Sequence, residues 1–226
     1  MSFELAKKLE KGQQISLKKL TGEKLEKFCV KVSWGAIKTV KKGLFRNKTV
    51  VEDVDLDLSS ILVNAKGEMI DWLYSPEYNE WLKKNNLPLG KLDTSDHALH
   101  HSGDDLGKGG GDDFSEIITV DLTKVNKEVN QIFFFLNIYL NQGQSFDFSD
   151  IPFARIEMYE GSPNRVDKVH LAFDISTDSS YSGKLAIIMG KLYYQESNWK
   201  FDAIGDETDD KIFLITIQRI LKNYVK

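Results

Sequence analysis

Between Lys27 and Trp34 the chain reads KFCVKVSW, with Phe28, Val30, Val32 and Trp34 on alternate positions. A period of two predicts a strand with one buried face. The same alternation, or a short β-branched and aromatic run, recurs in QISLKKL (14–20), EIITVDL (116–122), QIFFFLNIYL (131–140), FARIEMYE (153–160), KVHLAFDIS (168–176), KLAIIMGKLYYQ (184–195) and WKFDAIG (199–205). DVDLDLSSILVNAKGEMIDWLY (53–74) reads as strand, turn at NAKGE, and strand. Short strands separated by turn signals are the pattern of a sandwich or barrel. The rhythm breaks at the end. Phe213, Ile217, Ile220, Leu221 and Tyr224 recur at helical spacing, predicting an amphipathic helix over about 208–226, with Asp209 and Asp210 at its start and Lys222 and Lys226 near its end. A short helix is also predicted in FELAKKLEK before Gly12, KTVKKGLFRNKTVV (38–51) reads as a basic hairpin or loop excursion, and residues 75–99 read as irregular or partly helical.

At 226 residues and 41% hydrophobic content the chain can bury one substantial core, so a single domain over 1–226 is expected. The net charge of −4 gives no reason to expect nucleic-acid binding. Cys29 is the sole cysteine, which excludes an internal disulfide framework, a CxxC pair and a Cys-rich zinc site. The first residues alternate charge with apolar positions, unlike a secretory signal, and no run approaches the ~20 apolar residues of a membrane span, so a cytoplasmic location is expected.

Charge is gathered in two places. In VEDVDLDLSS (51–60), Asp53, Asp55 and Asp57 share one strand face while Val54, Leu56 and Leu58 share the other. Aspartate is a poor strand former, and carboxylates two residues apart repel, a conflict that solvent tolerates and a cation relieves. The second place is HHSGDDLGKGGGDDFSE (100–116), with Asp104, Asp105, Asp112, Asp113 and Glu116 set among glycines. Placing Asp105 first in an EF-hand loop puts Gly110, Asp113 and Glu116 where that loop needs them. Gly107 and Gly109 then stand where side-chain ligands belong, and a strand rather than a helix follows. The loop is no EF-hand, yet its chemistry is similar: hard oxygen ligands, including carbonyls such as those of Gly107 and Gly109, on a backbone free to wrap an ion. Calcium's tolerant coordination by 6–8 oxygens suits such a loop better than magnesium's octahedron. A phosphate-loop reading of GDDLGKGGG fails, because its spacing is one residue short, Gly109 replaces the Ser or Thr, and four aspartates repel phosphate.

Four segments in order, KGQQISL (11–17), DLDLSSILVNAKGE (55–68), HHSGDDLGKGGGDDFSEIITVDLTKV (100–125) and MGKLYYQESNWKFDAIG (189–205), resemble the TerD family of bacterial tellurium-resistance and stress proteins. The resemblance covers about residues 10–205. It implies a mostly-β fold, a two-sheet β-sandwich with short helices, to which the C-terminal helix, the basic stretch 37–50 and an insertion around 73–95 are additions. It also implies calcium, at two neighbouring ions, held by Asp55, Asp57, Asp104, Asp105, Asp112, Asp113 and Glu116, and no enzymatic activity. The function it implies is a calcium-ordered interaction module that meets a protein partner in a stress-response assembly.

Other groups carry competing readings. His97, His100 and His101 would suit a transition metal if they converged. Cys29 reads as a buried structural thiol, and Trp199 and Phe201 as core. The basic stretch reads as a solvated loop, with peripheral contact to anionic lipid or to a nucleic acid as its alternative. The terminal helix either packs on its own sandwich or forms a dimer surface. No Ser-His-Asp spacing or cofactor fingerprint is found. The enzymatic alternatives are a metal-dependent hydrolase built on the aspartates, with His101 as acid–base partner, and a metal-mediated nucleotide or small-ligand binder.

Overall fold

The alternating segments pair as their periodicity predicts. The computed structural model describes residues 7–8, 11–19, 21–41, 48–52, 54–104, 113–140, 143–175 and 181–225. One six-stranded sheet runs β1 (Lys7–Lys8), β12 (Arg165–Ile175), β11 (Ala154–Ser162), β3 (Lys27–Gly35), β9 (Asp113–Asp121), β8 (Leu99–His101). The other runs β2 (Gln14–Ser16), β14 (Asn198–Thr208), β13 (Ala186–Gln195), β10 (Val129–Tyr139), β6 (Asp55–Asn64), β7 (Met69–Leu73). A two-stranded ribbon, β4 (Ile37–Lys41) with β5 (Lys48–Glu52), forms the basic excursion. Pairing is antiparallel except where β1 runs parallel to β12. The helix expected in FELAKKLEK is therefore not formed at Lys7–Lys8, which pair with Leu171 and Ala172. A segment this short nucleates a helix poorly, and the β12 edge offers it backbone partners.

The inner faces meet in the main core: Val30, Val32 and Trp34 of β3, Ile118 of β9, Leu56 and Leu58 of β6, Phe134 and Leu136 of β10. Trp34 is stacked on Phe114 at 5.8 Å, and its Nε1–H donates to the Val54 carbonyl at 2.7 Å, tying the end of β3 to the start of β6. The outer face of the second sheet is buried too. Ile61, Val63, Phe133, Phe135 and Ile188 pack against Phe213, Ile217 and Ile220 of the C-terminal helix α2 (Phe213–Asn223). This is why QIFFFL reads as a continuous apolar run: both faces of β10 are covered. Each such side chain contributes about 1.5–3 kcal/mol by burial, so the helix face is spent on its own sheet.

The helix begins later than its pattern predicts. Ile212 caps it in an extended conformation without a side-chain cap. Asp210, 3% exposed, instead accepts two hydrogen bonds from the Arg219 guanidinium, at 2.9 and 2.7 Å. That pair holds the Asp210 carboxyl below the usual carboxylate range, against the opposing effect of burial. Arg219→Gln leaves the buried carboxylate without its fork. With the guanidinium partly screened by water, a loss of about 1–2 kcal/mol is expected, read as a fall in thermal midpoint of several degrees.

The chain between β7 and β8 holds a 3-10 turn (Pro76–Tyr78) and a short helix, α1 (Asn79–Lys84). It is irregular but well tethered. Tyr74 donates to the Pro88 carbonyl at 2.7 Å, the Trp72 indole to Leu89 at 2.8 Å, and Asn79 exchanges hydrogen bonds with Gly90. No helix of the described residues is long and apolar enough to cross a membrane.

Candidate metal centre

Pairing of β7 with β6 stops at Leu73 opposite Ser60. The β6 edge from Asp55 to Ser59 lies beyond that point, and the acidic groups collect there. Asp55 and Asp57 project from the face of β6 opposite Leu56 and Leu58, as the alternation predicts. That face is not open to water, since the insertion and α2 cover it. Asp57 is 4% exposed and Asp55 half-buried. From the other sheet, Glu116 of β9 reaches across, fully buried, and its Oε2 accepts the Leu58 N–H at 2.7 Å. Oxygen atoms of Asp55, Asp57 and Glu116 come within 4.8 Å of one another.

A recess of about 80 Å³ opens on this cluster, room for an ion and water. Asp55, Asp57, Ser75, Glu77, Tyr78, Asp104 and Tyr139 line it, and no Lys or Arg is among them. Asp104 Oδ2 accepts from Ser75 Oγ at 2.6 Å, whereas Asp104 Oδ1 is buried without a hydrogen-bond partner. The Tyr78 hydroxyl donates to Asp57 Oδ2. Burial, then the charges of Asp104 and Glu77, push the Asp55 carboxyl up to about 6. Burial, then Asp55 and Glu116, push Asp57 well above its ordinary value, against the Tyr78 hydrogen bond. Such an arrangement repels itself when ionised and offers only oxygen donors, the donor set of a hard cation.

Of the residues singled out in the sequence, Asp55, Asp57 and Glu116 are brought together, and Asp104 lines the recess with Asp55 and Asp57. Asp113 opens β9, paired with Gly35. Asp53, Asp105, Gly107, Gly109 and Asp112 lie outside the described residues. The three histidines do not converge. His100 is exposed and pairs with Asp93 at 2.9 Å, while His97 sits in a turn at positive φ. His101, one position from His100 on β8, turns inward. Its Nδ1 accepts the Gly103 N–H at 3.0 Å and its Nε2 lies 3.4 Å from Glu116 Oε2. Burial holds that imidazole below its usual value, so it faces Glu116 neutral, and it does not line the recess. Cys29 is buried against Ile117 and Tyr159, its thiol pushed up by burial.

Sequence reasoning passes over Ser75, Glu77, Tyr78 and Tyr139. The signal available was SPEY: Ser75 before a proline, its hydroxyl accepting the Glu77 N–H at 3.0 Å, is a turn-start pattern. Nothing local in it places the turn over Asp57.

Fold and cluster together define a two-sheet β-sandwich with an all-oxygen acidic recess where the two sheets approach. The chain belongs to the TerD family: the TerD domain model matches residues 5–218. It is 30% identical to the stress response protein SCP2 of Bacillus subtilis (strain 168) over 225 residues, covering 98% of this chain and 100% of that protein. It is likewise 30% identical to the tellurium resistance protein TerZ of Serratia marcescens, over 87% of this chain and 88% of that one. A crystal structure of a homologue of telluride resistance protein (TerD) from Streptomyces coelicolor A3(2) superposes with a TM-score of 0.59, at 14% identity, over 89% of this chain and 98% of that one, a likeness of fold. These relatives carry the names of resistance and stress-response proteins.

Proposed function

We propose that this protein is a calcium-binding interaction module of a tellurium-resistance or general stress response, acting in the cytoplasm on a protein partner. The observation that supports it is the acidic cluster, Asp55, Asp57 and Glu116 within 4.8 Å of one another, with Asp104 and its partnerless buried oxygen lining the recess beside Asp55 and Asp57. A bound calcium would supply the positive charge that no lysine or arginine of the lining provides. The chain's own residues fix the geometry beforehand. β6 places Asp55 and Asp57, the Leu58 amide orients Glu116, and Ser75 orients Asp104. The family resemblance adds Asp105, Gly107, Gly109, Asp112 and Asp113, next in the sequence after Asp104, as further oxygen donors, enough for two ions. With calcium, these carboxylates cease to repel and the loop acquires one conformation, a surface for a partner. Because the apolar face of α2 is buried on its own sheet, dimerisation through that face would require the helix to undock.

Calorimetric titration of metal-stripped protein tests this. Calcium is expected to bind with about micromolar affinity or better, and magnesium far more weakly. Absence of calcium binding by folded protein would refute the reading. Tight zinc binding alone would also refute it, as would metal-dependent turnover without partner capture, the mark of a hydrolase.

A further inference from the structure

Tyr78 belongs to the insertion between β7 and β8, and it touches two things at once. Its hydroxyl donates to Asp57 Oδ2, at the centre of the acidic cluster. Its ring meets Phe213, the first residue of α2, with centroids 4.9 Å apart, and takes Tyr139 edge-on at 5.5 Å. Phe213 is held from its other neighbour by Tyr74 at 4.6 Å. A second link runs beneath. Asn137 sits opposite Asp57 in the β10–β6 register, and its Nδ2–H donates to Thr216 Oγ1 of α2 at 3.0 Å, between two buried side chains.

We propose that Tyr78 is a positioning residue that ties Asp57 to the C-terminal helix, so that cation occupancy of the cluster and docking of the first turn of α2 form one coupled equilibrium. The inference rests on the calcium reading above. The phenol holds Asp57 Oδ2, and with it the orientation of the carboxylate that Asp57 contributes to the cluster. In the absence of a cation, repulsion among Asp55, Asp57 and Glu116 drives Asp57 to reorient, and any such motion is passed to the ring on which Phe213 rests. Occupancy removes the repulsion and fixes Asp57, then the phenol, then the platform for Phe213. Run backwards, undocking of α2 frees the ring, and Asp57 loses its orienting donor. Linkage makes the two effects equal: whatever factor calcium contributes to helix docking, helix docking contributes to calcium affinity.

Amide hydrogen exchange, followed by mass spectrometry on peptides covering Phe213–Asn223, tests the coupling in the full chain with and without calcium. The natural chain is expected to exchange these amides about fivefold or more slowly in saturating calcium. Tyr78→Phe keeps the ring packing but cuts the link to Asp57. It should still bind calcium, more weakly, while the calcium effect on the helix falls below about twofold. Phe213→Leu touches no carboxylate and should weaken calcium binding by the factor that linkage sets. Ile215→Ser, at an exposed position of the same helix, should change neither quantity. Calcium binding with unchanged helix exchange in the natural chain would overturn the coupling alone, as would a full helix response in Tyr78→Phe. Failure of the natural chain to bind calcium would overturn both the coupling and the reading beneath it.

Discussion

Asp57→Asn will bind calcium about a hundredfold more weakly than the natural chain, roughly 3 kcal/mol, and yet will be the more stable protein when metal is absent. The opposite signs come from one cause. Asp57 is 4% exposed, faces Asp55 and Glu116, and has no guanidinium or ammonium in the recess it shares. Its charge costs free energy in the metal-free fold and is recovered only when a cation arrives. Asparagine keeps the shape and keeps an oxygen to accept the Tyr78 hydrogen bond, so the substitution removes the charge while leaving the packing in place. Removing an uncompensated buried charge is expected to stabilise the metal-free protein by about 1–3 kcal/mol, several degrees in thermal midpoint. Thermal unfolding with chelator and with excess calcium checks both halves. A variant destabilised equally in both conditions would mean that Asp57 is a packing residue.

The second large effect is a pH dependence that reverses with calcium. Asp55 is pushed up to about 6 from an ordinary 3.8, and Asp57 is raised too. A carboxyl raised in the fold binds more protons there than in the unfolded chain, so stability falls as pH rises. Below about 4 both states are protonated and the penalty is absent. It accumulates through the window from about 4 to 6, and beyond it for Asp57, and is shared between the two neighbouring carboxyls. His101, held below its usual value by burial, works in the other direction below 6.5. The informative quantity is therefore the difference between the natural chain and an Asp55→Asn/Asp57→Asn variant, both metal-free, in which His101 is common. The variant's advantage in denaturant midpoint should be negligible near pH 4 and largest above pH 7. In calcium the natural chain should gain stability over the same rise in pH, because the ionised carboxylates are the binding form. A difference independent of pH would mean that these groups are not strained in the fold.

Most of the strand framework was legible because one-sided burial leaves a period of two. KFCVKVSW predicts β3 within a residue, and Val54, Leu56 and Leu58 do enter the core opposite the aspartates. Periodicity could not say that the other face of β6 and β10 is covered as well. That depends on α2 returning from the far end of the chain, and the continuous apolar run at Phe133–Phe135 is the trace it leaves. At Lys7–Lys8 the helical pattern of FELAKKLEK yields to a distant edge, that of β12. Composition and alternation alone pick out Asp55, Asp57 and the 104–116 loop as acidic. They cannot show that Glu116 crosses from the other sheet to the Leu58 amide, nor that Tyr78 closes over Asp57. Both contacts join residues at least twenty positions apart, and the turn that carries Tyr78 signals in its own sequence only that a turn is there.

The most direct test of calcium at this recess is a crystal structure of the protein grown with millimolar calcium, with the ion located by its anomalous scattering. The expected result is a peak bounded by oxygens of Asp55, Asp57, Glu116 and Asp104 at about 2.3–2.6 Å. A well-ordered recess holding only water, with these four carboxylates repelling or protonated in the presence of calcium, would contradict it.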